Sequence, residues 1–126
     1  MEFLEELPQD CPIDKANDIE VSPAYRVVSS LQPTVDDFLS NAALKKPKPP
    51  TVDDCRWASC SLFKNKDKAI NIASKLPANK NGKRHISRCL IVSGVGRSYV
   101  NNKKHVDFWP YKNFHPSLIV EATEKI

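Results

Sequence analysis

A proline-rich segment near the middle of the chain restricts the fold more than any other feature of the sequence. Lys45–Pro50 reads Lys-Lys-Pro-Lys-Pro-Pro, with three prolines in four positions. Proline lacks an amide donor and fixes its φ angle, so this segment can be neither a helix nor a central strand. We therefore predict a stiff surface connector over residues 45–51, with secondary structure on both sides of it.

The length of the chain limits the number of domains. With 126 residues it can bury one hydrophobic core but not two independent ones. We predict a single α+β domain over residues 23–126. The first twenty residues contain seven acids and one lysine, and residues 1–22 are predicted to form a peripheral acidic arm.

The predicted location of the protein and the predicted state of its cysteines are linked. No apolar run approaches the roughly 20 residues that cross a bilayer, and the N-terminal residues are acidic where a secretory signal is basic. We therefore expect a cytoplasmic protein with no membrane contact. The four cysteines, at positions 11, 55, 60 and 89, are then expected to be reduced thiols. Their spacing matches no zinc site, so no metal is predicted.

Charge is distributed unevenly along the chain. Residues 1–54 contain eleven acids and five bases, whereas residues 55–126 contain four acids and fourteen bases. A basic region of this kind favours nucleic acid, a phosphorylated cofactor or an acidic protein partner, although the two halves can also neutralise each other across the fold. One functional interpretation is a non-catalytic nucleic-acid-binding module, whose phosphate contacts would be Arg84, Arg88, Arg97, Lys103 and Lys104.

Apolar periodicity and turn residues predict the order of the elements. Strands are predicted over residues 24–29, 57–63, 84–92, 105–109 and 117–122. A helix of about ten residues should follow the N-cap Thr34, and a second helix should run from the N-cap Asn65 to Pro77. Gly94–Ser98 is predicted to be a tight turn or bulge. The fold class is therefore α+β, a mixed or antiparallel sheet of five or six short strands with two flanking helices.

Two stretches resemble the NAD-binding half of ADP-ribosyltransferases of the enterotoxin kind. The first is Ala24–Pro33, Ala-Tyr-Arg-Val-Val-Ser-Ser-Leu-Gln-Pro. The second is Trp57–Phe63, Trp-Ala-Ser-Cys-Ser-Leu-Phe, with a helix after it. The resemblance implies that Arg26 anchors NAD and that Ser59 and Ser61 brace the nicotinamide-side ribose. A guanidinium suits that role because its rigid fork of donors matches ribose and phosphate oxygens.

The same family uses a late glutamate to support the departure of nicotinamide. The resemblance assigns this catalytic role to Glu121, within a bacterial toxin or effector that acts inside a cell and uses NAD. The chain departs from the family pattern at two positions. Glu121 and Glu124 are spaced Glu-x-x-Glu where Glu-x-Glu is usual, and Cys60 stands where threonine is usual.

The densest aromatic segment of the chain is His105–Tyr111. Trp109 is predicted to bind a cofactor by stacking on its nicotinamide or adenine ring, and in the nucleic-acid interpretation Trp109 or Tyr111 would stack on bases. A packed core strand is the alternative. His105 and Asp107 are two residues apart, so on a strand they share a face and can pair.

Overall fold

Six strands pair into one sheet in the computed structural model, which describes residues 2–75 and 84–126. The strands are β1 (Val21–Val28), β2 (Cys60–Phe63), β3 (His85–Ile91), β4 (Gly96–Val100), β5 (His105–Pro110) and β6 (Val120–Lys125). Two helices accompany them, α1 (Asp54–Trp57) and α2 (Lys66–Ser74), together with 3-10 turns at Val35–Phe38 and Pro116–Leu118.

The strand order is β4-β5-β2-β1-β3-β6, and every neighbouring pair is antiparallel. The predicted α+β fold, a mixed or antiparallel sheet of five or six strands with two helices, is confirmed, and the sheet is antiparallel with six strands. Within the part of the chain that the structure describes, none of the helices is long and apolar enough to cross a bilayer.

Strand alternation gives the sheet two faces, each with its own apolar cluster. The larger cluster includes Val28, Leu62 and Phe108 and lies on what we call the main-core face. On the opposite side, Val27 and Ile86 pack against Ala69 of α2. We call this side the α2 face, and the candidate site described below lies on it.

The helix predicted after Thr34 is a single 3-10 turn, Val35–Phe38, so its predicted length is wrong. Arg26 explains why the helix stops. Its Nε donates to the carbonyl of Asp37 at 2.9 Å and its Nη2 to that of Leu39 at 3.2 Å. A longer helix would need those carbonyls for its own i to i+4 bonds, so the chain becomes extended at Leu39 instead.

The strand predicted over residues 57–63 begins only at Cys60, because a helical turn precedes it. The turn is α1, whose N-cap Asp53 accepts a 2.9 Å hydrogen bond from the backbone amide of Arg56. An aspartate cap of this kind stabilises a helix start by about 1 kcal/mol. Similarly, β6 begins at Val120 because the 3-10 turn Pro116–Leu118 occupies the first two residues of the predicted strand 117–122.

The remaining predicted elements agree with the structure except at the glycines. Helix α2 begins after Asn65, whose side chain accepts from the amide of Lys68 at 2.9 Å, while its predicted end at Pro77 lies outside the described residues. Gly94 lies in a turn with φ 96°, as predicted. Gly96 instead begins β4, a strand that we do not predict from the sequence. A Cβ there would lie 2.5 Å from the carbonyl oxygen of Trp109, so β4 can approach β5 only through a glycine.

A disulfide joins Cys11 to Cys55, so the prediction that these two cysteines are reduced is wrong. The two cysteines are 44 residues apart, so no local sequence pattern predicts their pairing. The fold brings their Cα atoms to 5.4 Å. Cys60 and Cys89 are buried thiols, as predicted, and burial raises the pKa of Cys89 to about 12.

The acidic arm packs along the β4–β5 side of the sheet. Phe3 forms an isolated bridge with Tyr111, and Asn17 forms another with Ser98. Ala16 between them is fully buried. The proline connector contains turns and irregular backbone only, as its composition predicts.

Candidate functional site

Strands β2 and β5 place three polar side chains side by side on the α2 face. Ser61 is paired with Asp107, and Phe63 is paired with His105. Directly paired residues of antiparallel strands share a face, and alternate residues of one strand do too. Ser61, His105 and Asp107 therefore meet, although 44 residues separate the serine from the histidine.

The imidazole of His105 lies between the other two side chains. Its Nε2 is 2.5 Å from Ser61 Oγ, and its Nδ1 is 3.6 Å from Asp107 Oδ1. The ring also makes an edge contact with Phe63 at a centroid distance of 5.0 Å. Among the described residues Nδ1 has no hydrogen-bond partner, so Asp107 acts on the ring through its charge. A proton on Nδ1 would leave Nε2 to accept the serine hydroxyl proton, as in a serine nucleophile paired with a histidine base.

Asp107 is a buried carboxylate whose two oxygens are both occupied. It is 2% exposed. Arg56 Nε donates to Oδ2 at 3.1 Å, and Ser59 Oγ lies 2.9 Å from Oδ1 and 2.7 Å from the carbonyl of Arg56, so its one proton can go to either acceptor. A buried charge needs such partners to remain ionised. The carboxylate is therefore held next to His105 by two elements, the loop before β2 and helix α1.

Helix α1 forms the wall of the cleft above the strands. Its Arg56 and Trp57 face the serine residues, and Trp57 Nε1 donates to the carbonyl of Lys46 in the proline connector at 3.3 Å. The cleft has a volume of about 200 Å³. Its lining, which we call the Ser61 cleft, consists of Asn41, Val52, Arg56, Trp57, Ser59, Ser61, His105 and Asp107.

Burial lowers the pKa of His105 below its ordinary value of 6.5. Asp107 opposes this effect by favouring the protonated ring, whereas the charges of Arg56 and Lys68 reinforce it. The imidazole is therefore neutral near pH 7, which is the form that can accept a proton from Ser61.

Two of the predicted cofactor-binding residues, Ser59 and Ser61, lie together in the cleft, and Arg26 does not. Arg26 shares the main-core face with Val28, opposite the hydroxyl of Ser61. Its Nη1 donates to the backbone carbonyl of Ser61 at 2.8 Å, so the guanidinium ties β1 to β2 from the other side of the sheet. With Asp37 and Leu39, it has three carbonyl partners in all.

The structure places Glu121 and Trp109 away from the cleft opening. Glu121 is exposed on β6 and pairs with Arg88 at 3.4 Å. Three strand spacings, or about 14 Å, separate β6 from β2 in the sheet. Trp109 is 1% exposed, and its Nε1 donates to the carbonyl of Cys55 at 3.1 Å. Its ring therefore packs beneath α1 and presents no open surface to a ligand.

The basic residues of the nucleic-acid interpretation are dispersed. Arg97 binds the carbonyl of Ala16 through two nitrogens, and Arg88 pairs with Glu121. Tyr111 is 8% exposed, and its hydroxyl donates to Asp18 at 3.0 Å. Arg84, Lys103 and Lys104 are exposed. Nucleic-acid binding stays a prediction, with these three side chains as its main support.

Sequence reasoning identified the His105–Asp107 pair but not its serine partner, nor Arg56 and Trp57. The register between β2 and β5 decides which serine faces which histidine, and no local pattern reveals that register. Helix α1 could have been predicted from the sequence, since Asp53 stands three residues before Arg56 in a favourable N-cap position.

Comparison with known proteins finds no match to this chain among family models, curated proteins or solved structures. Over residues 2–75 and 84–126, no group of three or more His, Cys, Asp or Glu side chains is arranged to hold a metal ion. A functional proposal therefore depends on the geometry of the Ser61 cleft.

Proposed function

We propose that the protein is a small hydrolase that cleaves carboxylic esters through Ser61. The observation that carries this proposal is the 2.5 Å contact between Ser61 Oγ and His105 Nε2, with the buried Asp107 at the other ring nitrogen. The serine and histidine supply a nucleophile and a base, and the carboxylate 3.6 Å from Nδ1 adds a favourable charge without a hydrogen bond.

The reaction follows from these positions. Ser61 Oγ attacks the ester carbonyl carbon while its proton passes to His105 Nε2. The tetrahedral intermediate collapses, the ester C–O bond breaks, and the same proton goes to the departing alcohol. Water then attacks the acyl-serine, with His105 again accepting and returning a proton. Asp107 stabilises the imidazolium at both stages.

The size of the cleft favours a small substrate. Sites for drug-sized ligands usually enclose roughly 300–1,000 Å³, and the Ser61 cleft encloses about 200 Å³. An acyl group of a few carbons matches this volume better than a complete dinucleotide does. The walls from Trp57 and Val52 supply apolar contact for such a group.

A fluorophosphonate probe tests the proposal directly, because it forms a phosphorus–oxygen bond with an activated serine and releases fluoride. Peptide mass spectrometry should locate the label on Ser61, and Ser61→Ala should abolish it. Ser30→Ala is the matched control, since Ser30 is an exposed serine outside the cleft. Failure to label Ser61, together with no ester hydrolysis above that of Ser61→Ala, would overturn the proposal.

NAD-dependent ADP-ribosyl transfer is the second candidate function. Its support is that Ser59 and Ser61 line one cleft with the aromatic ring of Trp57. Arg26 contacts the backbone of Ser61 from the other face, and Glu121 lies three strands away. Nicotinamide release from labelled NAD tests this candidate, and loss of release in Glu121→Ala would support it. Release that is absent from the native protein counts against it.

A cytoplasmic location remains part of the proposal, and the Cys11–Cys55 disulfide bears on it. Structural disulfides persist mainly in oxidising compartments. Alkylating the thiols at the moment of cell lysis, followed by intact-mass measurement, would show whether this pair is oxidised in cells. A fully reduced pair would support the cytoplasm, and an oxidised pair would favour an oxidising compartment.

A further inference from the structure

The guanidinium of Arg56 is only partly used by the protein. Its Nε donates to Asp107, and its side chain is 44% exposed. Over residues 2–75 and 84–126, the structure records no hydrogen bond or ion pair for either of its terminal nitrogens. Arg56 therefore presents charged donors to the cleft from a position that Asp107 fixes.

Of the described residues that line the cleft, Asp107 is the one acid, and both oxygens of its carboxylate already have partners. A ligand entering the cleft thus meets a cation at the wall. Two parallel N–H donors on one guanidinium match the oxygens of a carboxylate in a bidentate pair.

Arg26 is an arginine of the same protein whose guanidinium nitrogens all have hydrogen-bond acceptors. Its Nε, Nη1 and Nη2 each donate to a backbone carbonyl, and it lies on the main-core face. Its role in the fold accounts for all of these contacts. The terminal nitrogens of Arg56, which lines the same cleft as Ser61, have no such recorded partners among the described residues.

We infer that Arg56 is the specificity residue of the Ser61 cleft and that the substrates are esters carrying a second, free carboxylate on the acyl side. The inference rests on the proposed ester hydrolysis and adds the substrate class. In this arrangement Arg56 binds the free carboxylate while Ser61 reaches the ester carbonyl. The partly buried contact from Arg56 to Asp107 connects the carboxylate-binding group to the charge beside His105.

A matched pair of esters tests this assignment. Para-nitrophenyl hemisuccinate carries a carboxylate on its acyl chain, and para-nitrophenyl butyrate has a neutral acyl chain of the same length. The native protein should prefer the hemisuccinate by about tenfold in kcat/KM, as expected for one charge-assisted pair of hydrogen bonds. Arg56→Gln should remove the preference, whatever it does to the overall rate. Arg88→Gln, a half-exposed arginine outside the cleft, should keep it.

The outcomes separate failure of the inference from failure of the hydrolase proposal. Hydrolysis of both esters with equal kcat/KM would overturn the role of Arg56 and leave Ser61 chemistry intact. If neither ester is hydrolysed, nuclear magnetic resonance titration with acetate and with neutral acetamide still decides the inference. Saturable shifts of the Arg56 and His105 signals with acetate alone, lost in Arg56→Gln, support an anion site. Equal responses to both probes would overturn it.

Discussion

The two sides of the α2 face hold their charged residues in opposite ways. On the β2–β5 side, Asp107 is 3% exposed at its side chain and has Ser59, Arg56 and His105 around it. On the β3–β6 side, Arg88 and Glu121 form a pair whose side chains are 54% and 41% exposed. Helix α2 packs on the sheet between these two regions.

The two regions differ in the burial of their charged side chains, and only the buried group is suited to take part in catalysis. A second cavity, of about 260 Å³, lies on the β3–β6 side and is larger than the Ser61 cleft. Its charged side chains form solvent-exposed ion pairs, as Lys66 and Glu124 do. Water screens such pairs, so each contributes little free energy. Asp107 instead is buried 3.6 Å from His105 Nδ1, where its charge favours the protonated imidazole, although burial of the ring has the larger effect on its pKa.

The largest expected difference between the two sides is in catalysis. Asp107→Asn should lower kcat for ester hydrolysis by about a thousandfold, because the imidazolium formed in the reaction loses its stabilising charge while the side chain keeps its size. Glu121→Gln should leave kcat within about twofold, since an exposed ion pair contributes little. Steady-state kinetics with para-nitrophenyl hemisuccinate measures both variants.

The opposite ranking would reverse our assignment of the active region. A large loss in Glu121→Gln with little change in Asp107→Asn would place the chemistry on β6, as the resemblance to ADP-ribosyltransferases implies. Circular dichroism of both variants controls for loss of the fold.

Stability should show the next largest contrast. Asp107→Ala should lower the free energy of unfolding by about 3 kcal/mol, because it removes a buried side chain and leaves the partly buried Arg56 Nε without its acceptor. Glu121→Ala should change it by less than about 0.5 kcal/mol. Urea denaturation followed by tryptophan fluorescence provides both values. Similar losses in the two variants would mean that burial does not distinguish the two sides.

Strand β4 packs closely against β5, the strand that carries His105 and Asp107. Gly96 permits this close approach. An added methyl would meet backbone atoms of Trp109 and Pro110 at 2.5 and 2.8 Å. Gly96→Ala should therefore cost about 2 kcal/mol of unfolding free energy through overpacking. Gly94→Ala should cost about 1 kcal/mol, because only its left-handed φ opposes a side chain there. Thermal unfolding compares the two, and an equal cost would contradict the packing argument.

The smallest effect, about tenfold per pH unit, concerns the protonation of His105. Because burial lowers its pKa, the neutral base predominates at pH 7, and kcat/KM should fall only below the ordinary value of 6.5. Because folding lowers this pKa, the neutral His105 contributes to the free energy of unfolding above pH 6.5. That contribution is lost as the pH falls through the pKa of His105 in the folded protein. Arg56→Gln should move the acid limb to higher pH, whereas Glu121→Gln should not move it. A pH profile with a limb above 6.5 in the native protein would contradict this assignment.

Local patterns predicted most of the strands and the second helix, because alternation and capping are properties of neighbouring residues. They failed where a distant residue competes for the backbone. The helix after Thr34 ends early because Arg26, from another strand, takes the carbonyls of Asp37 and Leu39. The strand at Gly96 was missed because its glycine signals a turn unless the neighbouring β5 is known.

The residues of the candidate site likewise include some that the sequence predicted and some that depend on the fold. The sequence placed His105 and Asp107 on one face, since they are two residues apart on a strand. It also singled out Ser59 and Ser61, through a resemblance whose other members, Arg26 and Glu121, the fold does not bring beside them.

The sequence by itself determined the α+β class, the irregular connector around Pro47–Pro50 and the positions of most strands, because these depend on interactions within a few residues. Only the tertiary structure decided that Cys11 binds Cys55, that Arg26 lies on the main-core face, and that Ser61 reaches His105. Each of these contacts depends on strand order and register. Pairing energies summed over the whole sheet set those two properties, and no short window of sequence contains them.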